Sequence, residues 1–183
     1  MGSGEAASRE PDVSCIVVTN RAGEHLDEAI ASARAQVGVR LEILVVDDGS
    51  PDPDALDAVL ARHPGVGLLR RAHQGIAPAR NAGAAAASAP LLAFLDDDDR
   101  WDPHRIARVL EAWSTTPGAV AAYGDMRVID ADGEVLQGPD QRAATAEDLI
   151  ARRVSVILPN LVVRRDAFER LGGFDEDLPL AED

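Results

Sequence analysis

The sequence predicts an α/β fold in which a mostly parallel, Rossmann-like sheet is flanked by helices and followed by a mixed C-terminal part. Short aliphatic runs alternate with amphipathic helical segments from Val13 to Thr116. Polar and acidic residues stand at the ends of these runs and do not interrupt them. Ligands bind beyond the carboxyl ends of parallel strands, so the same pattern predicts where a site lies.

The predicted strands and helices follow one another in regular order as far as Thr116. Each strand is a short run of Val, Leu, Ile or Ala, which is typical of strands buried on both faces. Asp52 and Pro53 supply an N-cap and a first-turn proline for the second helix. Pro78 falls in the first turn of the third helix, and Asp102 is the expected cap of the fourth. Strands are predicted over residues 13–19, 41–46, 66–69 and 91–95, and helices over 24–36, from 53, over 76–88 and over 103–116.

The last third of the chain predicts a mixture of strands and helices. Residues 119–136 are predicted to form a β-hairpin around an Ala-Asp-Gly turn. A short helix is expected to begin at Thr145, because Asp148 follows at the spacing of a capping box. Residues 156–163 predict a further strand, and 166–171 a short helix ended by a glycine pair.

The chain is predicted to form one domain over residues 13–183. Residues 1–12 contain no apolar signal core and no periodicity, so we expect a flexible leader there. The 183 residues suffice for one hydrophobic core. No apolar run reaches the roughly 20 residues that span a bilayer, so no transmembrane segment is expected.

The composition excludes several classes of partner and mechanism. The formal net charge of −14 argues against nucleic acid and against an anionic membrane surface. Every basic residue is Arg, which excludes chemistry that needs a Schiff-base or phosphate-binding lysine. Cys15 lies in an apolar run and is predicted to be a small buried hydrophobic residue. A single cysteine allows no disulfide framework within the chain, which fits a cytoplasmic location.

Polar residues collect at the ends of three predicted strands. Thr19 ends the first, Asp47 and Asp48 follow the second, and the run Asp96 to Asp99 follows the fourth. The carboxyl ends of parallel strands share one edge of a sheet, so these residues are expected to lie close together. Crowded carboxylates repel one another, and stability alone therefore does not explain the arrangement. The sequence predicts a polar ligand site at this edge.

The four consecutive aspartates are the candidate metal site. In an extended segment alternate side chains share a side, so Asp96 and Asp98 are expected to converge while Asp97 points elsewhere. Paired carboxylates suit Mn²⁺ or Mg²⁺, with water and substrate phosphates completing the coordination. The alternative is helix capping with a solvated acidic turn, which suits Asp99 and Asp102 best.

Two further segments are candidates for nucleotide binding. Asp47 can accept hydrogen bonds from a base or a ribose, with Gly49 permitting the tight turn; the alternative is turn chemistry alone. Residues 75–83 (GIAPARNAG) combine glycine for close approach, a helix N-terminus and Arg80, which together suit a phosphate. Each signal is weak by itself. The four histidines show no spacing that would pair them at a site.

Taken in order, these motifs resemble the family 2 glycosyltransferases, which are inverting enzymes of the GT-A fold. The resemblance rests on VVTNRAGEHL, LVVDDGSPD, QGIAPARNAG, FLDDDDRWDP and LGGFDEDL, followed by Glu182-Asp183. It covers the chain from Val13 to Asp183, and the order of several motifs makes it far more specific than any one of them. It implies a GT-A-type sheet and transfer of a sugar from a nucleotide-diphosphate sugar to an acceptor hydroxyl.

The resemblance also implies roles for single residues. Asp98 would be the direct ligand of Mn²⁺ or Mg²⁺, with Asp96 beside it. Asp183 would be the general base that deprotonates the acceptor hydroxyl, which then attacks from the face opposite the nucleotide. The implied partners are a nucleotide-diphosphate sugar, a UDP-sugar first of all, and a saccharide, lipid-linked or small-molecule acceptor. The implied nucleotide-sugar-binding residues are Thr19, Asp47, Asp48, Arg80, Asn81, Asp96 and Asp97.

The sequence departs from the family pattern in two places. The family usually has an aromatic residue between the Thr and Asn of its first loop, whereas here Asn20 follows Thr19 directly, so base stacking is not expected there. The family also continues past its late acidic pair, whereas this sequence ends at Asp183. Terminal residues fray readily, so we expect this chain to bind donor with weak or absent transfer.

Three other functions stay open from the residues alone. A catalytically incomplete module would bind nucleotide sugar without transferring it. A phosphoacceptor receiver domain would explain LVVDDGS, but it needs a lysine and leaves the four aspartates unexplained. A nucleotidyltransferase would need a glycine-rich basic loop after the first strand, which residues 19–24 do not provide.

Overall fold

The computed structural model of the chain contains a six-stranded sheet with helices on both faces, as the sequence predicts. The structure describes residues 10–130, 132–138, 145, 147–148, 151 and 156–178. Its strands are β1 (Val13–Thr19), β2 (Leu41–Asp48), β3 (Gly67–Arg71), β4 (Leu91–Asp96), β5 (Ala121–Tyr123), β6 (Val128–Ile129), β7 (Val135–Gln137) and β8 (Leu161–Arg164). Its helices are α1 (Glu24–Arg34), α2 (Pro53–Leu60), α3 (Ile76–Ala86), α4 (Arg105–Ser114) and α5 (Arg165–Leu171), with a 3₁₀ helix at Leu158–Asn160.

The main sheet has the strand order β3-β2-β1-β4-β8-β5. The first four of these strands are parallel, and β8 runs antiparallel to both β4 and β5. The register of β1 places Thr19 opposite Asp47 of β2 and Val18 opposite Asp96 of β4. The carboxyl ends of β1, β2 and β4 therefore reach the same level, as the sequence predicts.

Alternate residues of the central strands face opposite layers of helices. Val13, Cys15 and Val17 pack with residues of α1, α2 and α4 on one face. Ile16 and Phe94 pack with residues of α3 and α5 on the other. The core is built mainly from Val, Leu, Ile and Ala, as predicted, and Cys15 is fully buried within it. Burial raises the pKa of the Cys15 thiol well above its ordinary value.

Several predicted helix ends are confirmed. Asp52 Oδ1 accepts a hydrogen bond of 3.0 Å from the Ala55 amide at the start of α2. Gly172 ends α5 in the left-handed conformation with φ 87°. The Thr145 hydroxyl donates to Asp148 Oδ2 at 2.8 Å, and the Asp148 amide donates back to Thr145 Oγ1 at 3.1 Å, as in a capping box. The rest of the helix predicted there lies largely outside the described residues.

Two predicted strands in the last third are wrong in their extent. Residues 119–136 do not form one hairpin, because β5 leaves it to pair with β8 in the main sheet; only β6 and β7 pair with each other. The strand predicted over 156–163 begins at Leu161, since the preceding residues form the 3₁₀ helix. Pro159 lies within that helix, and a proline has no N–H to donate to a sheet.

The predicted start of α4 is also wrong. The helix begins at Arg105 and not at Pro103. The Asp102 carboxylate accepts a hydrogen bond of 2.9 Å from the His104 amide, so it stabilises the turn before the helix. Asp102 therefore does not cap α4 itself; the Ile106 amide in the first turn donates to Gln36 Oε1 at 3.0 Å.

Strand β1 begins at Val13, directly after the predicted leader, and the predicted extent of the domain stays a prediction. Residues 1–9 of the predicted leader lie outside the described residues. Asp12, the last residue of that segment, forms an ion pair with Arg40, and the two residues are also joined through backbone hydrogen bonds. Within the described part of the chain, no helix has the length and apolar character required to cross a membrane.

Helix α3 approaches the sheet closely because residue 83 is glycine. A Cβ at this position would lie 2.5 Å from Ile16 Cγ2 and 3.0 Å from Val46 Cγ2. Both neighbours are buried in the core. The glycine therefore fixes the distance between the sheet and the helix that carries Arg80 and Asn81.

We predict that Gly83→Ala destabilises the protein by about 1 to 3 kcal/mol, because the added methyl group overpacks the contact with Ile16 and Val46. The cost of overpacking outweighs the gain from the better helix propensity of alanine. Urea unfolding at neutral pH measures the resulting change in the free energy of unfolding. Gly138→Ala is the matched control, because no atom lies within 4 Å of a Cβ built there. Unchanged or increased stability of Gly83→Ala would contradict the close packing.

Candidate functional site

Thr19 connects the end of β1 to the aspartates that follow β4. Its Oγ1 lies 2.6 Å from Asp97 Oδ2 and 2.5 Å from the Arg21 carbonyl oxygen, and its single proton serves one of them at a time. Arg21 Nη2 lies 3.8 Å from Asp97 and 3.7 Å from Asp98. Arg21 is thus an exposed counter-charge to these carboxylates that the sequence analysis did not assign.

The residues Asp96 to Asp99, called the acidic turn below, do not continue the strand. β4 ends at Asp96, and the Asp99 amide donates a hydrogen bond of 3.2 Å to the Asp96 carbonyl. The prediction that Asp96 and Asp98 share one side of an extended segment is therefore wrong in its premise, because the backbone turns directly after Asp96. Asp97 points toward Thr19, while the Asp98 side chain is 57% exposed.

Asp96 is held by Arg80 of α3. Arg80 Nη2 donates to Asp96 Oδ1 at 3.1 Å, and Arg80 is only 4% exposed. Partial burial raises the pKa of Asp96, Arg80 opposes that shift, and the charges of Asp98 and Asp97 reinforce it. The ion pair thus places a buried cation directly beneath the acidic turn.

The acidic turn carries more negative charge than its surroundings neutralise. Asp99 keeps contact with solvent, yet partial desolvation and then the charges of Asp96 and Asp98 raise its pKa to about 6. For both Asp96 and Asp99 burial is the largest cause of the raised pKa, and the charges of neighbouring aspartates add to it. A cation placed at the turn would relieve this repulsion.

Asp47 lies at the end of β2 with one oxygen bound. Its Oδ1 accepts a hydrogen bond of 2.8 Å from the Ser50 amide, and its Oδ2 lies 3.6 Å from Arg70 Nε. The Ser50 hydroxyl oxygen is buried and has no hydrogen-bond partner among the described residues. The end of β2 therefore presents a carboxylate and an unpaired hydroxyl side by side.

Asp48 holds the loop between β3 and α3. Its two carboxylate oxygens accept hydrogen bonds from the Gln74 amide at 3.0 Å and the Gly75 amide at 2.9 Å. His73 Nδ1 lies 2.9 Å from Asp48 Oδ2, although no partner was predicted for this histidine. Gly49 permits the contact, because a Cβ there would lie 2.8 Å from the His73 nitrogen and its φ is +82°. A contact between Asp48 and a nucleotide stays a prediction.

Asn81 fixes the segment that follows α5. Its Nδ2 donates to the Phe174 carbonyl at 2.9 Å and to Glu176 Oε1 at 2.8 Å, and its Oδ1 accepts from the Phe174 amide at 2.9 Å. A Cβ on Gly173 would lie 2.5 Å from Asn81 Oδ1, and the φ of Gly173 is +77°. Asn81 is thus engaged by the C-terminal segment, and its proposed contact with phosphate stays a prediction.

The three phenylalanines of the chain form one cluster below this edge. The Phe174 ring centre lies 5.3 Å from that of Phe94 and 5.2 Å from that of Phe168. The Arg80 guanidinium lies 5.6 Å from the Phe174 ring centre. Phe174 is therefore held by ring packing below and by Asn81 through its backbone, and it helps to support Arg80.

The structure brings most of the predicted site residues together. A contact network joins Thr19, Arg80 and the acidic turn, and Asp47 ends its strand at the same level. Arg21 and Arg70 are neighbours of this network that the sequence analysis missed; their positions at the ends of β1 and β3 are the signal that could have found them. Asp183 lies outside the described residues.

The acidic turn fits a metal ion held by few protein ligands. Across the described ranges, no group of three or more His, Cys, Asp or Glu side chains is arranged to hold a metal by itself. The turn nevertheless offers hard carboxylate oxygens with an excess of negative charge. Mg²⁺ and similar cations are commonly held by one or two carboxylates, with water and substrate phosphates completing the shell.

Two curated relatives are similar to nearly the whole chain. An uncharacterized glycosyltransferase of Nostoc sp. is 32% identical over 178 residues, which cover 89% of this chain and 54% of the relative. The succinoglycan biosynthesis protein ExoO of Rhizobium meliloti is 32% identical over 178 residues, which cover 97% of this chain and 49% of the relative. The chain thus spans about half the length of these relatives.

Two solved structures share the fold of this chain. The mannosyltransferase PcManGT of Pyrobaculum calidifontis, in complex with GDP-Man and Mn²⁺, superposes with a TM-score of 0.65 at 23% identity and covers 93% of this chain and 49% of its own. TarS 1-349 of S. aureus in complex with UDP superposes with a TM-score of 0.71 at 17% identity, covering 93% and 52%. These likenesses confirm the predicted GT-A-type fold.

The family model described as Glycosyl transferase family 2 matches residues 14–172, which include β1 to β4, the acidic turn and α5. The match, the fold and the two relatives agree with the resemblance found in the motifs. The chain belongs to glycosyl transferase family 2.

Proposed function

We propose that the chain binds a nucleotide-diphosphate sugar at the common edge of β1, β2 and β4, and that it serves the metal-dependent, inverting transfer of the sugar to an acceptor hydroxyl. The observation that carries this proposal is the register that brings Thr19, Asp47 and Asp96 to one level. An excess of negative charge beside a buried arginine at this edge suits a cation and a phosphate together.

The nucleotide end of the donor is assigned to β2. Asp47 can accept hydrogen bonds from a base or ribose, and the unpaired Ser50 hydroxyl can donate or accept one beside it. Asn20 follows Thr19 directly, without the aromatic residue that would stack on a base, so hydrogen bonds carry base recognition here. A UDP-sugar is the first candidate donor. The complexes of the structural relatives, with UDP for TarS and with GDP-Man for PcManGT, define the two bases to compare first.

The diphosphate end is assigned to the acidic turn. Asp98 is the exposed carboxylate that would hold Mn²⁺ or Mg²⁺. Asp96 lies beside it and has Arg80 as its own counter-charge. The bound cation would neutralise the charge that develops on the leaving diphosphate. Thr19 orients Asp97 through its hydroxyl, which keeps that carboxylate directed toward the end of β1.

The transfer step is assigned to Asp183 as general base. A carboxylate on the face of the sugar opposite the nucleotide would remove the acceptor proton as the acceptor oxygen attacks, which inverts the anomeric configuration. Asn81 supports this assignment because it anchors Phe174 and Glu176, in the segment that leads toward Asp183. Arg80 and Asn81, which are adjacent on α3, thus contact the acidic turn and the segment after α5 respectively.

We predict that Asp98→Asn lowers the affinity for a UDP-sugar by at least 10-fold in the presence of Mn²⁺, because it removes the exposed carboxylate proposed as metal ligand. Without metal, the substitution should have little effect on that affinity. Calorimetric titration of UDP-, GDP- and dTDP-sugars with and without Mn²⁺ measures this effect. Asp54→Asn removes an equal charge from α2 and is the matched control. If no donor binds the unmodified chain with metal, the proposed function fails; unchanged binding by Asp98→Asn would move the ligand role to a neighbour.

We predict that Asp99→Asn removes a fall in stability between about pH 4 and pH 6. The pKa of Asp99 is about 6 in the folded chain against an ordinary value of 3.8, so the folded state binds this proton more tightly than the unfolded state does. Its contribution is full below the ordinary pKa and is lost as pH rises through 6. Thermal melting across this range compares Asp99→Asn with the native chain, and Asp54→Asn is again the control. Parallel pH profiles for the native chain and the variant would contradict the raised pKa of Asp99.

A further inference from the structure

A cavity of about 550 Å³ lies on the side of the acidic turn away from β1 and β2. Its walls come from the segment after the acidic turn, α4, the loop after β5 and the 3₁₀ helix. Its charged lining consists of three carboxylates and four arginines: Asp99, Asp102, Asp125, Arg100, Arg105, Arg108 and Arg127. Asn160 lies at the same sheet edge as the acidic turn. It directly precedes β8, and β8 runs antiparallel to β4, so the start of β8 lies beside the end of β4. The acidic turn therefore separates the proposed donor side of the sheet from this cavity, called the Arg105 cavity below.

Three residues that line the Arg105 cavity each carry a buried side-chain nitrogen that lacks a hydrogen-bond partner within the described part of the chain. These nitrogens are Trp101 Nε1, Arg105 Nη1 and Asn160 Nδ2. Trp101 is only 6% exposed and Asn160 only 7% exposed, so solvent contact is limited for both side chains. Buried polar groups are nearly always paired in folded proteins, so three unpaired donors in the wall of one cavity single it out as a candidate ligand site.

Arg105 adds a positive charge without a carboxylate partner in the described ranges. Its Nη2 donates to the Pro159 carbonyl at 2.8 Å, and its guanidinium lies 4.6 Å from the Trp101 ring centre. Burial lowers the pKa of Arg105 to about 10, which leaves the side chain protonated at neutral pH. Two other arginines of the cavity wall do have such partners, namely Arg100 with Glu28 at 3.7 Å and Arg108 with Asp102 at 3.6 Å.

We propose that the Arg105 cavity binds the carboxylate or phosphate group of an anionic saccharide, and that this saccharide is the acceptor. A guanidinium without a carboxylate partner in the described ranges, together with unpaired nitrogen donors nearby, favours a ligand whose oxygen atoms carry negative charge. The cavity volume suits a ligand of monosaccharide size. A chain of net charge −14 attracts no anion in general, so selective anion binding would require this local site. The assignment of this saccharide as the acceptor rests on the proposed sugar transfer, whereas the binding of the anion does not.

A neutral sugar is the alternative occupant. Its hydroxyl oxygens can also accept hydrogen bonds from Trp101 and Asn160, but they leave the charge of Arg105 without a counter-charge. The two occupants differ in one measurable respect, since only an anion is attracted by the charge of Arg105. Glucuronate carries a carboxylate where glucose carries a hydroxymethyl group, so the two sugars separate these possibilities.

The first experiment measures binding through the fluorescence of Trp101. Trp113→Phe leaves Trp101 as the sole tryptophan, and the indole that it removes donates to the Ala119 carbonyl outside the cavity. Glucuronate, glucose 6-phosphate and glucose are titrated at equal ionic strength without nucleotide or metal. We expect one anion to bind at least 10-fold more tightly than glucose, and the tighter one identifies carboxylate or phosphate as the natural group. Equal affinity for all three sugars would overturn the proposal.

The second experiment reverses the polarity of the cavity. Asn160→Asp places a carboxylate at the position of an unpaired donor and keeps the backbone hydrogen bonds from Asn160 to Ile157 and from Gly124 to Asn160. We expect at least a 10-fold loss of affinity for the preferred anion. Asn20→Asp adds the same charge outside the cavity and should change that affinity less than 2-fold. Circular dichroism verifies that both variants fold.

The two experiments separate this proposal from the proposed function. An unchanged anion affinity in folded Asn160→Asp would overturn the Arg105 cavity as the binding site, whatever happens at the donor side. Failure of nucleotide sugars to bind would overturn the proposed transfer and would leave the measured anion binding intact, since neither nucleotide nor metal is present in these titrations.

Discussion

The parallel register of β1 with β2 and β4 is the constraint on which the rest of the molecule depends. It brings Thr19, Asp47 and Asp96 to one level, where no strand continues to cover them. Because these side chains stand at the ends of largely buried strands, the packing of the core restricts their movement. A shift of one residue in β1 would exchange the two packed faces of the sheet and would remove Thr19 from Asp97.

Charge is the second organising feature, and arginines control it from both sides of the acidic turn. Arg80 lies buried below Asp96, and Arg21 lies exposed above Asp97 and Asp98. A chain without lysine has only guanidinium groups for this task, and their planar geometry suits fixed, directional pairing. The acidic turn is therefore held in a geometry that its own repulsion opposes, which is common where a protein prepares a site for a cation.

Periodicity in the sequence predicts the elements that bury a regular face. The first four strands and the α-helices between them are confirmed within a few residues, and so is the edge at which the polar residues meet. The backbone turn after Asp96 is not predictable from alternation, because it depends on where the sheet ends. Asn81 lies 93 positions from Phe174 in the sequence, and no local pattern reveals such a contact. For the same reason β5 was assigned to a hairpin, although its partner β8 lies far along the chain.

The burial of Cys15 has a practical consequence for work on this protein. Its thiol lies inside the sheet and is held in the protonated, unreactive form at neutral pH. A cysteine introduced at the surface would therefore be the one thiol of the folded chain that thiol-directed reagents modify. Spectroscopic labels can be attached at chosen surface positions without first replacing the native cysteine, and late modification of Cys15 itself would report global unfolding.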